Sequence, residues 1–106
     1  MKAIVVFVTC PSGVASERLA RVVVGEGLAA CANVVPLRGS IFRWKGKMER
    51  ARETLLIFKT TRSRFPALRR RVRALHSYEV PEIIAVPVVA GDPAYLRWVA
   101  GECQTK

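Results

Sequence analysis

His76 is the only histidine in a chain of 106 residues, and it opens the run His76-Ser77-Tyr78-Glu79-Val80-Pro81-Glu82. Imidazole is the commonest transition-metal ligand near neutral pH. A closed metal shell needs three or four ligands, and no second histidine is present to supply one. The same residue, just past a helical stretch, would also serve to cap the helix's last carbonyls. Tyr78, Glu79 and Glu82 gather polar groups around Pro81, and Lys59 with Thr60 and Thr61 closes an apolar segment.

The three cysteines, Cys10, Cys31 and Cys103, lie far apart and form no C-x-x-C pair. An odd, scattered set is neither a disulfide framework nor a zinc-finger spacing. Cys31, among alanines and valines, reads as a small core hydrophobe. Cys103 falls near the end of the chain and carries no pattern. There is no nucleophile elbow, phosphate loop, dinucleotide fingerprint or H-E-x-x-H. One histidine without a partner pattern is thin material for acid–base work, so the chain is not expected to be an enzyme, and no cofactor is obligatory.

Net charge is +10, which raises anionic partners. Arg62, Arg64, Arg69, Arg70, Arg71 and Arg73 concentrate in one helical segment. The apolar stripe there uses Phe65, Leu68, Val72 and Leu75, which sends most of the arginines to the outer, solvated side.

The elements that must position these residues follow from periodicity. Residues 2–9 are β-branched and apolar and read as a buried strand. Ser12 would cap a helix over 13–26 whose stripe is Ala15, Leu19, Val22 and Val23, with Gly25 and Gly27 as the stop. Residues 29–35 form a second strand, broken at Pro36. Extended structure over 40–44 meets a two-residue Lys45-Gly46 turn. The return strand, 50–60, should be bent or bulged. A helix spans 62–75, with Pro66 in its first turn. A last main strand covers 83–89, with Pro87 placing it at an edge or a bulge. Asp92 caps a final short helix.

The order is β-α-β-β-α-β plus a C-terminal helix, an α+β fold in the ferredoxin-like arrangement, as one domain over residues 1–106. Val5-Val6-Phe7-Val8, Leu55-Leu56-Ile57-Phe58 and Ile83-Ile84-Ala85-Val86 are apolar on both faces. A half-solvated antiparallel strand would alternate, and two helices cover one face only. An exposed apolar face of that size marks an interface, so the domain should self-associate. No run approaches the roughly 20 residues of a membrane span, and no cleavage pattern ends the first strand. The expected location is the cytoplasm.

Several segments resemble the CutA family, the divalent-cation-tolerance proteins: VTCPS, GLAACANVVP, SIFRWKGKME, LLIFKTT, LHSYEVPEI and GDPAYLRWV. The resemblance runs from about Ile4 to Val99. It implies a homotrimer with sheets packed inward and a role in the response to divalent metal ions, copper first among them. In some relatives two adjacent histidines and a cysteine near the end of the first strand are associated with copper. Here Leu75 stands at the first histidine position and Val8 at the cysteine position, with Cys10 two residues on, on the same strand face. Ser77 replaces the usual proline. The implied metal residues are therefore His76 and Cys10.

Family-like packing would also gather Trp44, Lys59, Tyr78, Glu79 and Glu82 in clefts between subunits, suited to a metal or a small anion. The alternative is a PII-like signalling protein that binds a small ligand or anion in those clefts. PII-type proteins carry a long loop between the second and third strands, where this chain has a tight hairpin. RNA-recognition domains share the strand order and stack bases on third-strand aromatics. This chain offers only Phe58 there, so no specific nucleic acid is expected, and no membrane insertion.

Overall fold

Residues 3–11 and 13–103 are described by a computed structural model of the chain. Strand β1, Ala3–Pro11, alternates in burial, with Ile4, Val6, Val8 and Cys10 on the fully buried side. Its antiparallel neighbour β5, Glu53–Thr61, places Phe58 opposite Val6 and Leu56 opposite Val8. β2, Cys31–Pro36, pairs with β5 on the far side, and β6, Ile83–Pro87, pairs with β1. The sheet order is β2-β5-β1-β6, with every pairing antiparallel. Pro36 and Pro87 each end an edge strand, where a missing N–H costs no ladder bond.

Helices α1, Val14–Gly25, and α2, Phe65–Leu75, cover one face. Leu19, Ala20, Val23, Leu68 and Val72 pack with Val6, Val8, Leu56 and Phe58 in a single core. The buried stripe of α1 is Ser16, Leu19, Ala20 and Val23, rotated from the expected one: Ala15 is exposed and Val22 half-buried. Ser16 fits inside because its hydroxyl donates to the Gly13 carbonyl at 2.8 Å, so that hydroxyl is not buried unpaired. Ser12, the expected cap, lies outside the described residues. Gly13 holds the cap position with φ +97°, a region open to glycine. Leu75, expected in the α2 stripe, is exposed.

Between β2 and β5 stands a separate hairpin, β3 Ser40–Trp44 and β4 Lys47–Ala51. Its turn is Lys45 at φ 52° and Gly46 at φ 79°, the two positive values a type I′ turn needs. The expected return strand over 50–60 is two strands, interrupted at Arg52. The second strand begins at Cys31 rather than at residue 29, because Leu28, Ala29 and Ala30 dip into the core. The expected helix over 62–75 opens with a 3-10 turn at Arg62–Arg64. Helix α3, Pro93–Glu102, starts at Asp92, whose carboxylate accepts from the Tyr95 N–H. Its Val99, followed by Cys103, buries against Ala30.

The other face of the sheet is the apolar one anticipated. Asn33, Ile57, Phe7 and Ile84 lie in one row across four strands, and Cys31, Lys59, Val5 and Val86 in another. Helix α3 packs near β5 and β1 and meets this face where the Tyr95 hydroxyl lies 3.6 Å from Cys31 Sγ. Ile84 stays 52% exposed and Val86 42%.

Candidate functional site

The polar residues singled out in the sequence do not all meet. Those that do meet lie where β1 runs out and β5 enters. β1 pairs with β6 only as far as Val8. One residue on, the Thr9 carbonyl accepts a hydrogen bond from His76 Nε2 at 2.7 Å. His76 Nδ1 in turn accepts from the Tyr78 N–H at 3.1 Å. Donor on one nitrogen and acceptor on the other means a neutral ring with its tautomer set by both contacts. It is the His76 backbone N–H, bonded to the Val72 carbonyl, that closes α2, so the side chain does not cap the helix as expected.

Tyr78 stacks at a tilt on His76, with 4.8 Å between ring centres. Its hydroxyl donates to Glu53 Oε2 at 2.8 Å. Glu53 is buried, with only 6% exposed, and stands opposite Pro11 in the β1–β5 ladder. Burial above all, then the hydrogen bond to Glu53 and its charge, pushes the Tyr78 phenol up to about 12. Cys10 is buried one residue before the strand's end, and desolvation, with the Glu53 charge second, pushes its thiol up to about 11. Glu82 accepts from the Thr9 hydroxyl at 3.4 Å on the open side of the sheet. Glu79 is exposed and makes no hydrogen bond or ion pair among the described residues.

Glu53 was missed in the sequence. It reads there as the polar start of an apolar strand, and nothing local marks its partner 25 positions on. Lys59 lies six residues further along β5, about 20 Å away at ordinary strand rise, where its ammonium donates to Asn33 Oδ1. Trp44 sits at the tip of the hairpin, 40% exposed, with Lys45 Nζ 5.7 Å from its ring centre. Within one chain, then, Tyr78, Glu82 and His76 are brought together, and Lys59 and Trp44 are elsewhere.

His76 and Cys10, tested as metal ligands, do not form a closed site within one chain. Both ring nitrogens of His76 already have partners, and Cys10 is a buried thiol held protonated. No group of three or more His, Cys, Asp or Glu side chains is clustered for an ion among the described residues.

The profile of the family described as "CutA1 divalent ion tolerance protein" matches residues 4–102. The chain is 50% identical over 93 residues to mouse "Protein CutA", covering 88% of this chain and 52% of that one. It is 47% identical over 95 residues to the "Divalent-cation tolerance protein CutA" of Thermus thermophilus, covering 90% and 92%. The chain thus spans about half the length of its mouse relative and nearly all of its Thermus relative. Among solved structures, CutA1 from Oryza sativa superposes with a TM-score of 0.95 at 42% identity, covering 100% of this chain and 97% of that one.

Proposed function

We propose a role on the premise that this chain belongs to the CutA1 divalent ion tolerance family: it serves the response to divalent cations as a homotrimer of ferredoxin-like subunits, with the ion or its surrogate engaged between copies. The observation that carries this reading is the uncovered apolar face of the sheet, where Ile84 is 52% exposed in a row with Phe7 and Ile57. A face of this kind is covered by association. Association is also what would bring Lys59 and Trp44 of one copy toward Tyr78, Glu79 and Glu82 of another.

Copper is the first metal to test. Since His76 is committed to Thr9 and Tyr78, the exposed carboxylates Glu79 and Glu82 are the better ligand candidates. Isothermal titration of Cu(II) into the wild type, His76→Ala and Glu79→Gln/Glu82→Gln separates them. The reading expects binding by the assembled wild type that the double carboxylate substitution weakens by at least about tenfold, the scale that loss of even an outer-shell partner costs. An unchanged His76→Ala isotherm removes the histidine from the site. Absence of heat with Cu(II), Zn(II) and Mn(II) alike would overturn the metal reading. Lys59, hydrogen-bonded to Asn33 on the open face, is the one feature favouring the small-anion alternative. Thermal stabilisation by nucleotides or phosphate, lost in Lys59→Met, would favour that reading instead.

A further inference from the structure

The face of the molecule opposite the open sheet carries a charge pattern that cation tolerance does not use. Residues 60–78 contain six arginines and no acidic residue. On α2, Leu68 and Val72 point inward. At 100° per residue, Arg69, Arg70 and Arg73 then fall within one arc on the outward side. All three are exposed, as is Arg62 in the turn before the helix. None of the four has an ion pair among the described residues. On the neighbouring α1, Arg18 and Arg21 stand on the outer side and line a shallow groove with Val14, Glu17 and Val22.

The acidic groups on this layer do little to neutralise it. Glu17 reaches Arg21 only at 4.0 Å. Glu26 is held by Arg71, Nε to Oε1 at 3.0 Å and Nη2 to Oε2 at 2.9 Å. That pairing removes one arginine and one carboxylate together and leaves the outer arginines uncompensated. Arg69 and Arg73 are four residues apart and Arg70 and Arg73 three, spacings at which like charges repel on a helix.

The chemistry of the face narrows the partner. The cations are all arginines, whose planar fork binds phosphate oxygens two at a time. No aromatic side chain stands among them, since Phe65 is half-buried against the core. The face therefore cannot stack the bases of a single strand or wedge an aromatic anchor into a bilayer. It suits a partner that presents dense, regularly spaced phosphates on a firm surface. It also stays open when the sheet face is covered, because helices and open face are opposite sides of one sheet.

We propose that the outer face of α1 and α2, centred on Arg69, Arg70 and Arg73, is a docking surface for the phosphate backbone of duplex nucleic acid, bound without reading its sequence. This does not depend on the metal reading.

The test is fluorescence anisotropy of a labelled duplex of arbitrary sequence, titrated with the full chain at several salt concentrations. Four phosphate contacts predict a slope of log affinity against log salt near about −3.6, and so a loss of roughly 100-fold between about 50 and 200 mM salt. The combined variant Arg69→Gln, Arg70→Gln, Arg73→Gln should flatten that slope by about 2–3. Its circular dichroism and melting should match the wild type, since all three side chains are exposed. A control of equal charge change on the hairpin, Arg43→Gln, Lys45→Gln, Lys47→Gln, should retain most of the wild-type affinity. The proposal is overturned if no binding is seen at about 50 mM salt, or if the hairpin variant loses as much as the helix variant. Tighter binding of the wild type to phosphatidylserine vesicles than to the duplex would overturn the choice of partner.

Discussion

Tyr78 and Glu53 show what sequence reading finds and what it misses at the scale of single residues. Tyr78 stood out because it lies in a polar run beside a lone histidine. Glu53 did not, because its burial is created by the β1–β5 ladder and its partner comes from a distant turn. Their hydrogen bond can be tested directly. Tyr78→Phe removes the donor to a carboxylate that is 6% exposed, and should cost about 1–3 kcal/mol in chemical denaturation. The pH dependence follows with a definite sign. The phenol titrates at 10.0 when unperturbed and near 12 in the fold, so the folded state holds its proton longer. Its contribution is complete below pH 10 and fades as pH rises through about 12. Cys10, moved from 9.0 to about 11, loses its contribution one unit earlier. Wild-type stability should therefore decline from about pH 9 through 12, and Tyr78→Phe should erase the upper part of that decline. A variant with an unchanged profile would detach Tyr78 from it.

At the scale of elements, punctuation was the most readable part of the chain. Asp92 followed by Pro93 marked a helix start, and the structure has the Asp92 carboxylate on the Tyr95 N–H at 3.2 Å. Because α3 is held to the body chiefly by Val99 and Cys103, the loss of its cap in Asp92→Ala should show in full, at about 1 kcal/mol in denaturant midpoint analysis. Lys45-Gly46 marked the hairpin for an equally local reason, the need for two positive φ values. What the sequence concealed was the break at Arg52, since the apolar and polar pattern runs on through it. The α1 stripe slipped by one residue because a serine took an inward position that side-chain polarity alone would assign to alanine. Ile41, Phe42, Trp44 and Met48 on the hairpin are all exposed in one chain, which makes the hairpin a candidate part of the proposed interface. Gly46→Val strains the turn by about 1–2 kcal/mol. The expected result is weaker self-association in a light-scattering dilution series, with unchanged helical circular dichroism. A variant that dissociates no more readily than the wild type would exclude the hairpin from the interface.

At the scale of the whole molecule, the double-sided apolar strands were legible as composition, and the ladder registers turned them into a surface. Val5, Phe7, Ile57, Ile84 and Val86 share one face because side chains alternate and the three pairings keep them in line. The candidate site was only partly legible for the same reason. Lys59 and Trp44 lie apart from Tyr78 in the single chain, and no single-chain pattern would encode the contact between copies that the proposed assembly requires. Ile84→Glu puts a carboxylate on a position that is half-exposed in the lone chain, so folding should survive while association fails, read as a fall in mass with an unchanged circular dichroism spectrum. The most direct test is simpler still: the mass of the wild-type protein by light scattering at micromolar concentration. Three times the 11.8 kDa of one chain is the predicted result. A particle of 11.8 kDa would contradict the assembly, and with it a functional site built between copies.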